Sequence, residues 1–98
     1  MNKNILAETI PFKDEKLNAG PFYTNERFKA VSLAMKTGQI LPDHNTPVEA
    51  VLFCVEGEGV FSIGDDSLTL KAGEYMTIPA EKMHKLEAVK QSRFILVK

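Results

Sequence analysis

The sequence is poor in several features, and each scarcity excludes a class of structure. Cys54 is the single cysteine among 98 residues, which excludes an intramolecular disulfide and a zinc site built from cysteines alone. No stretch approaches the ~20 consecutive apolar residues that a membrane-spanning helix needs. The apolar run near the start, residues 5–7, is too short for a signal peptide. We therefore expect a cytoplasmic protein without a membrane partner.

An excess of charge of one sign is also lacking. The chain has 12 Lys and Arg against 13 Asp and Glu, and its net charge is −1. Because such a balance gives no broad positive field, we expect no nucleic-acid partner. The apolar fraction of 44% and the charged fraction of 26% are ordinary for a globular protein. The length predicts one domain, residues 1–98.

Short apolar runs with a period of two are the main pattern present, and this period predicts strands. Turn residues separate the runs every 6 to 12 residues, and Gly64-Asp65-Asp66 is a hairpin signal. The segment 80–90 is predicted as a loop and another strand. This pattern predicts an all-β sandwich or barrel of seven or eight strands. The clearest predicted strands are 27–36, 48–55, 59–64, 67–71, 74–79 and 92–98.

Residues 1–25 are predicted to form a short extended arm before a barrel of residues 26–98. Pro11, Gly20 and Pro21 interrupt any helix in the arm. Its apolar side chains need a surface to cover, which is either the flank of the barrel or a partner subunit.

The spacing of the two histidines resembles the sequence motifs of the cupin superfamily. Gly38 is followed by five residues and then His44, as in the first cupin motif. Gly73 is followed by five residues, then Pro79, and then His84 at the position of the second motif. The match is to small single-domain cupins of the conserved-barrel type.

The resemblance covers residues 27–98 and implies a double-stranded β-helix, or jelly roll, with a metal site inside one open end. Of the family's four metal ligands, His44 and His84 remain. Four motif positions carry other residues: Thr46 for the second histidine, Ala50 for the glutamate, Glu81 for the glycine after Pro79, and Ala88 for the final asparagine.

Strand parity decides whether Glu49 can replace the missing carboxylate, because successive side chains in a strand point to opposite faces. If His44 points inward, so do Thr46, Val48, Ala50, Leu52 and Cys54, while Glu49, Val51, Phe53 and Val55 point outward. Glu49 then becomes a metal ligand only if a bulge near Pro47 shifts the register. Cys54 is predicted to be a core residue, because cysteine is one of the residue types most often fully buried.

Three hypotheses for the function follow, and the sequence does not decide whether the protein is an enzyme. The first is a module that binds a small organic ligand in an internal pocket lined by His44, Thr46, Ala50, Leu52, His84 and Met35. The second is a metal-dependent cupin enzyme of the dioxygenase or isomerase type. It would use His44 and His84 to hold one divalent ion, Mn, Fe, Ni or Zn.

The third hypothesis is a structural or regulatory dimer without a ligand, in which His44 is a rim residue and His84 caps a loop. The outward residues Val51, Phe53 and Val55 need a cover under every hypothesis, because large apolar side chains are unfavourable in water. We therefore expect a homodimer.

Overall fold

The computed structural model describes the backbone of residues 1–98 and every side chain except that of His44. The described backbone forms one short helix, α1 (Leu6–Thr9), and nine strands. The all-β prediction is therefore confirmed. The strands are β1 (Asn18–Thr24), β2 (Lys29–Met35), β3 (Ile40–His44), β4 (Ala50–Glu56), β5 (Glu58–Ile63), β6 (Asp66–Lys71), β7 (Tyr75–Ile78), β8 (His84–Ala88) and β9 (Ser92–Val97).

The strands of this backbone form two antiparallel sheets. One has the order β1-β2-β9-β4-β7 and the other the order β3-β8-β5-β6. Many neighbours in each sheet are distant in sequence, because the chain crosses repeatedly from one sheet to the other. This arrangement is the double-stranded β-helix, or jelly-roll barrel, that the sequence predicts.

The core lies between the two sheets and follows from the period-two pattern. Leu33 and Met35 of β2, Leu52 of β4, and Phe94 of β9 point inward from the larger sheet. Leu86 of β8 points inward from the smaller sheet. Each side chain fully buried in this way contributes roughly 1.5 to 3 kcal/mol to folding.

The first 24 residues extend the larger sheet at its edge and cover part of its outer face. Strand β1 pairs with β2, and Ile10 is buried. The ring centroid of Phe12 lies 5.0 Å from the guanidinium carbon of Arg93 on β9. Pro21 fits within β1 because β1 is an edge strand, where a missing N–H is tolerated. The helix α1 was not predicted, and the boundary between arm and barrel at residue 25 stays a prediction.

The structure differs from the sequence prediction in two segments, β3 and the loop before β4. Strand β3 contains Pro42 and lacks a clear alternation, so the pattern did not predict it. Strand β4 begins at Ala50, and Val48 is exposed in the loop before it. The inward orientation predicted for Val48 is therefore wrong, because strand parity does not extend through the loop that contains Pro47.

Within the part of the chain that the structure describes, no helix has the length and apolar character to cross a bilayer.

Candidate functional site

The antiparallel pairing of β3 with β8 brings the two histidine positions together. The Cα atoms of His44 and His84 are partners in this ladder, after a register irregularity between Leu41 and His44. The side chain of His44 lies outside the described part of the structure. The predicted proximity of the two residues therefore rests here on the backbone register.

His84 begins β8 and is buried at one end of the barrel. Its imidazole stacks on the ring of Phe61, with centroids 5.3 Å apart and planes inclined by 25°. Its Nδ1 lies 3.1 Å from the carbonyl oxygen of Lys82. Because a carbonyl only accepts hydrogen bonds, Nδ1 carries the proton in this contact, and Nε2 is the lone-pair nitrogen of the neutral ring.

The barrel interior behind the Phe61 ring is almost filled. The space left for the centre of a water-sized sphere is about 10 Å³, which is close to the minimum for one water molecule. The described side chains around it are Leu33, Leu41, Leu52, Phe61, Ile78, His84, Leu86 and Leu96.

Two of the side chains predicted to line the pocket, Leu52 and His84, border this interior space. Three others, Met35, Thr46 and Ala50, are buried but are not among its described lining.

A larger, partly open cavity of about 130 Å³ is also lined by Phe61. It opens between the β5–β6 hairpin and β7, at the end of β5 where Ser62 pairs with Lys85, the neighbour of His84. The sequence analysis missed this cavity. Its described lining is Phe61, Ile63, Asp66, Ser67, Leu68 and Met76.

The residues around His84 do not fit the four-ligand metal set of the family. The hydroxyl of Thr46 donates a hydrogen bond to the carbonyl oxygen of Val48 at 2.7 Å, and Ala50 offers no ligand atom. Glu49 is exposed, ahead of β4. Among the described side chains, no three His, Cys, Asp or Glu residues come together as a group that could hold a metal ion.

Glu81 lies in the turn before β8, and the sequence analysis identified it only as a departure from the glycine of the motif. It has a positive φ of 60°, a conformation that favours glycine, and it occupies the position of the motif's glycine. Its backbone N–H donates to the carbonyl oxygen of Thr46 at 2.8 Å. This bond ties the turn before β8 to the loop after β3, next to the paired histidine positions.

Cys54 lies away from this end and is buried in the core of the barrel. Burial raises the pKa of its thiol, and its Sγ donates to the carbonyl oxygen of Glu56 at 3.4 Å. A neutral, buried thiol of this kind is a packing residue and not a nucleophile.

Comparison with known proteins agrees with this geometry. The model of the cupin domain family matches residues 31–97, which is more than half of the chain. None of the curated proteins compared with the chain matches it significantly.

Among solved structures, an RmlC-like cupin protein from Desulfovibrio desulfuricans is 29% identical with a TM-score of 0.86, covering 99% of this chain and 94% of that one. A cupin superfamily protein from Desulfitobacterium hafniense is 15% identical with a TM-score of 0.85, covering 95% of this chain and 85% of that one. A cupin 2 conserved barrel domain protein from Leptotrichia buccalis is 22% identical with a TM-score of 0.83, covering 94% of this chain and 45% of that one.

The two facing antiparallel sheets, with a histidine at one end of the space between them, define a jelly-roll barrel of the RmlC-like type. The chain belongs to the cupin domain family.

Proposed function

We propose that this cupin domain binds a small organic molecule in the cavity beside Phe61, and that His84 recognises a polar group of that molecule. The observation that carries the proposal is the position of this cavity. It lies against the aromatic ring that stacks on a buried imidazole. Apolar pockets with a few polar groups nearby are typical of sites for small ligands.

The volume of the cavity limits the size of the ligand. An enclosed apolar cavity of about 150 Å³ binds benzene, and this partly open cavity offers about 130 Å³. We therefore expect a ligand with roughly six to eight non-hydrogen atoms. Its apolar part would contact Ile63, Leu68 and Met76, which lie around the cavity.

Phe61 lines both the ligand cavity and the interior space that His84 borders, whereas His84 lines only the interior space. The interior space of about 10 Å³ is too small for an organic group. A polar group of the ligand can therefore reach the imidazole only if the Phe61 ring turns aside. We expect this ring to move when the ligand binds.

The hydrogen bonding of His84 limits the chemistry of the polar group. The Nδ1 of His84 donates to the carbonyl oxygen of Lys82, and imidazole nitrogens form hydrogen bonds with hydroxyl and carboxylate groups. We therefore expect the polar group of the ligand to be a hydroxyl or a carboxylate. The proposal also includes His44 as a second recognition residue, because its Cα is the ladder partner of the Cα of His84.

The alternative hypothesis of a metal-dependent enzyme stays a prediction. The described side chains give more support to ligand binding, because Thr46 is engaged with the backbone and Ala50 has no ligand atom. The hypothesis of a dimer without a ligand does not account for the apolar cavity beside Phe61.

A thermal-denaturation experiment with phenol, benzyl alcohol, cyclohexanol and benzoate tests the proposal. At ten times its Kd, a ligand stabilises the folded state by about 1.4 kcal/mol. For a domain of this size, that gain corresponds to a rise in Tm of roughly 5 to 10 °C. Replacement of His84 by Phe should weaken the binding of the alcohols and leave toluene, which has no polar group, unaffected.

Leu68→Trp should fill the cavity and abolish the rise in Tm, because Leu68 is part of the lining. Ile40→Trp is the matched control, since both residues are 43% exposed and lie on edge strands of the same sheet. The proposal fails if none of these compounds stabilises the wild type at millimolar concentration. It also fails if Leu68→Trp responds as the control does.

A further inference from the structure

We infer that Arg93 binds an oxyanion, the phosphate or carboxylate group of a small molecule, on the outer face of the larger sheet. Arg93 precedes Phe94 on β9, and Phe94 is part of the core. Strand parity therefore directs the Arg93 side chain outward, where Phe12 of the N-terminal residues covers it. The inference is independent of the proposed function, because neither Arg93 nor Phe12 lines the cavity beside Phe61.

The Arg93 guanidinium is a buried cation with incomplete hydrogen bonding. The residue is only 4% exposed. Its Nη1 donates to the Ser32 hydroxyl at 2.7 Å, while its Nη2 is buried and has no hydrogen-bond partner among the described residues. Arginine is seldom buried to this extent unless an anion pairs with it. The unpartnered Nη2 therefore indicates that a further acceptor belongs at this position.

The described part of the chain does not supply that acceptor. Arg93 takes part in no ion pair with a described carboxylate. Glu56 is its partner in the ladder with β4, but Glu56 is exposed and follows a register irregularity. Burial lowers the pKa of the guanidinium, and the charge of Glu56 opposes this shift only in part. The charge of Arg93 is thus incompletely balanced, and a bound anion would balance it.

A cavity of about 490 Å³ beside Phe12, which we name the Phe12 cavity, gives an anion a path to this position. Three of its described lining residues are lysines and two are acidic. One lysine, Lys36, pairs with Asp14. The other two lysines outnumber the remaining carboxylate, and this excess of positive charge favours an anionic ligand. The described lining is Phe12, Lys13, Asp14, Glu15, Lys16 and Lys36.

The Phe12 ring lies on the guanidinium, with its centroid 5.0 Å from the guanidinium carbon. Arg93 itself is not part of the described lining, so an anion in the Phe12 cavity reaches Nη2 only if this ring turns aside. A cation–π contact is weak, whereas an oxyanion forms strong charge-assisted hydrogen bonds with a guanidinium. The Ser32 hydroxyl accepts from Nη1, so its own hydrogen can be donated to the anion as well. The exchange of contacts therefore favours the anion over the ring.

NMR titration of the full chain with inorganic phosphate tests the inference, with sodium chloride added to keep the ionic strength constant. Arg27 and Arg93 are the two arginines of the chain, so two Nε–H signals report on them. We expect the Arg93 signal to shift and saturate while the Arg27 signal stays unchanged. Arg93→Met should weaken phosphate binding by at least about ten-fold. Arg27→Met is the matched control, because it removes the same charge from an exposed position between β1 and β2.

Circular dichroism establishes that each variant is folded, and Phe12→Ala provides a second variant that keeps the arginine. It should bind phosphate more tightly than the wild type, because no ring has to turn aside. A parallel titration with acetate shows whether the site prefers a phosphate or a carboxylate. The inference is wrong if neither anion shifts the Arg93 signal in a saturable way. It is equally wrong if folded Arg93→Met binds phosphate as Arg27→Met does, or if Phe12→Ala binds phosphate more weakly than the wild type.

Discussion

Replacing Glu81 by glycine should stabilise the protein, although Glu81 lies beside the candidate site. An L-residue in the left-handed region costs about 1 to 2 kcal/mol relative to the right-handed region, and Glu81 has a φ of 60°. Glycine avoids this cost but loses roughly 0.5 to 1 kcal/mol more conformational entropy on folding. Among the described residues, the Glu81 carboxylate takes part in no ion pair. We therefore expect Glu81→Gly to raise the free energy of unfolding by roughly 0.5 to 1 kcal/mol.

This gain corresponds to a rise in Tm of roughly 2 to 8 °C for a domain of this size. The assay is thermal denaturation followed by circular dichroism at one fixed protein concentration, because the Tm of a chain that self-associates depends on concentration. Glu81→Ala is the control: it removes the same carboxylate but keeps a Cβ in the left-handed conformation. Its Tm should stay close to that of the wild type.

A result in which the alanine and glycine variants have the same Tm would refute the reasoning, because the backbone conformation would then contribute nothing. A glycine variant less stable than the wild type would refute it as well. That outcome would mean that the Glu81 side chain stabilises the turn that joins β7 to β8.

Three further predictions concern positions away from the ligand cavity. Gly57→Ala should lower the free energy of unfolding by more than about 3 kcal/mol in urea titrations, because a Cβ at φ 84° would overlap Ser92; a loss below about 1 kcal/mol would contradict this. Lys36 holds the pKa of the Asp14 carboxyl below its usual range, first through a side-chain hydrogen bond and then through its charge. The advantage of wild type over Asp14→Asn should therefore be complete above about pH 4 and disappear as the pH falls through the lowered pKa; an advantage that grows in acid would be inconsistent with the ion pair. Cys54, buried and with a raised pKa, should react with a thiol reagent at pH 8 only in the unfolded protein, and rapid labelling of the native protein would show that this description of the core is wrong.

The sequence predicts best those strands in which each face keeps the same environment, core or outer surface, along the whole strand. Strand β2 alternates larger and smaller apolar side chains, and the larger set contacts the barrel core; β4 is an almost continuous apolar run, as predicted for a strand covered on both faces. Strand β3 escaped prediction because Pro42 and Asp43 interrupt the pattern, and its place in the sheet depends on pairing with β8, about 45 residues away. The inward orientation of Val48 was wrong because Pro47 lies in a loop where strand parity has no meaning.

The candidate site likewise has one part that the sequence predicts and one part that it does not. Motif spacing related His44 to His84, and the ladder pairs their Cα atoms. The walls of the ligand cavity come from β5, β6 and β7, so they depend on how strands of two sheets approach each other. No local pattern contains that information. Phe61 illustrates the limit, since its inward orientation follows from strand parity but its stacking on His84 does not.

The most direct test of the proposed function is a methyl-resolved NMR titration of the wild-type protein with benzyl alcohol. We expect the methyl signals of Leu68, Met76 and Ile63 to shift together and to saturate at one common Kd, because these residues lie around the cavity. The methyl signals of Ile40 should stay unchanged. Shifts that do not saturate, or shifts of Ile40 as large as those of Leu68, would contradict the assignment of this cavity as the ligand site.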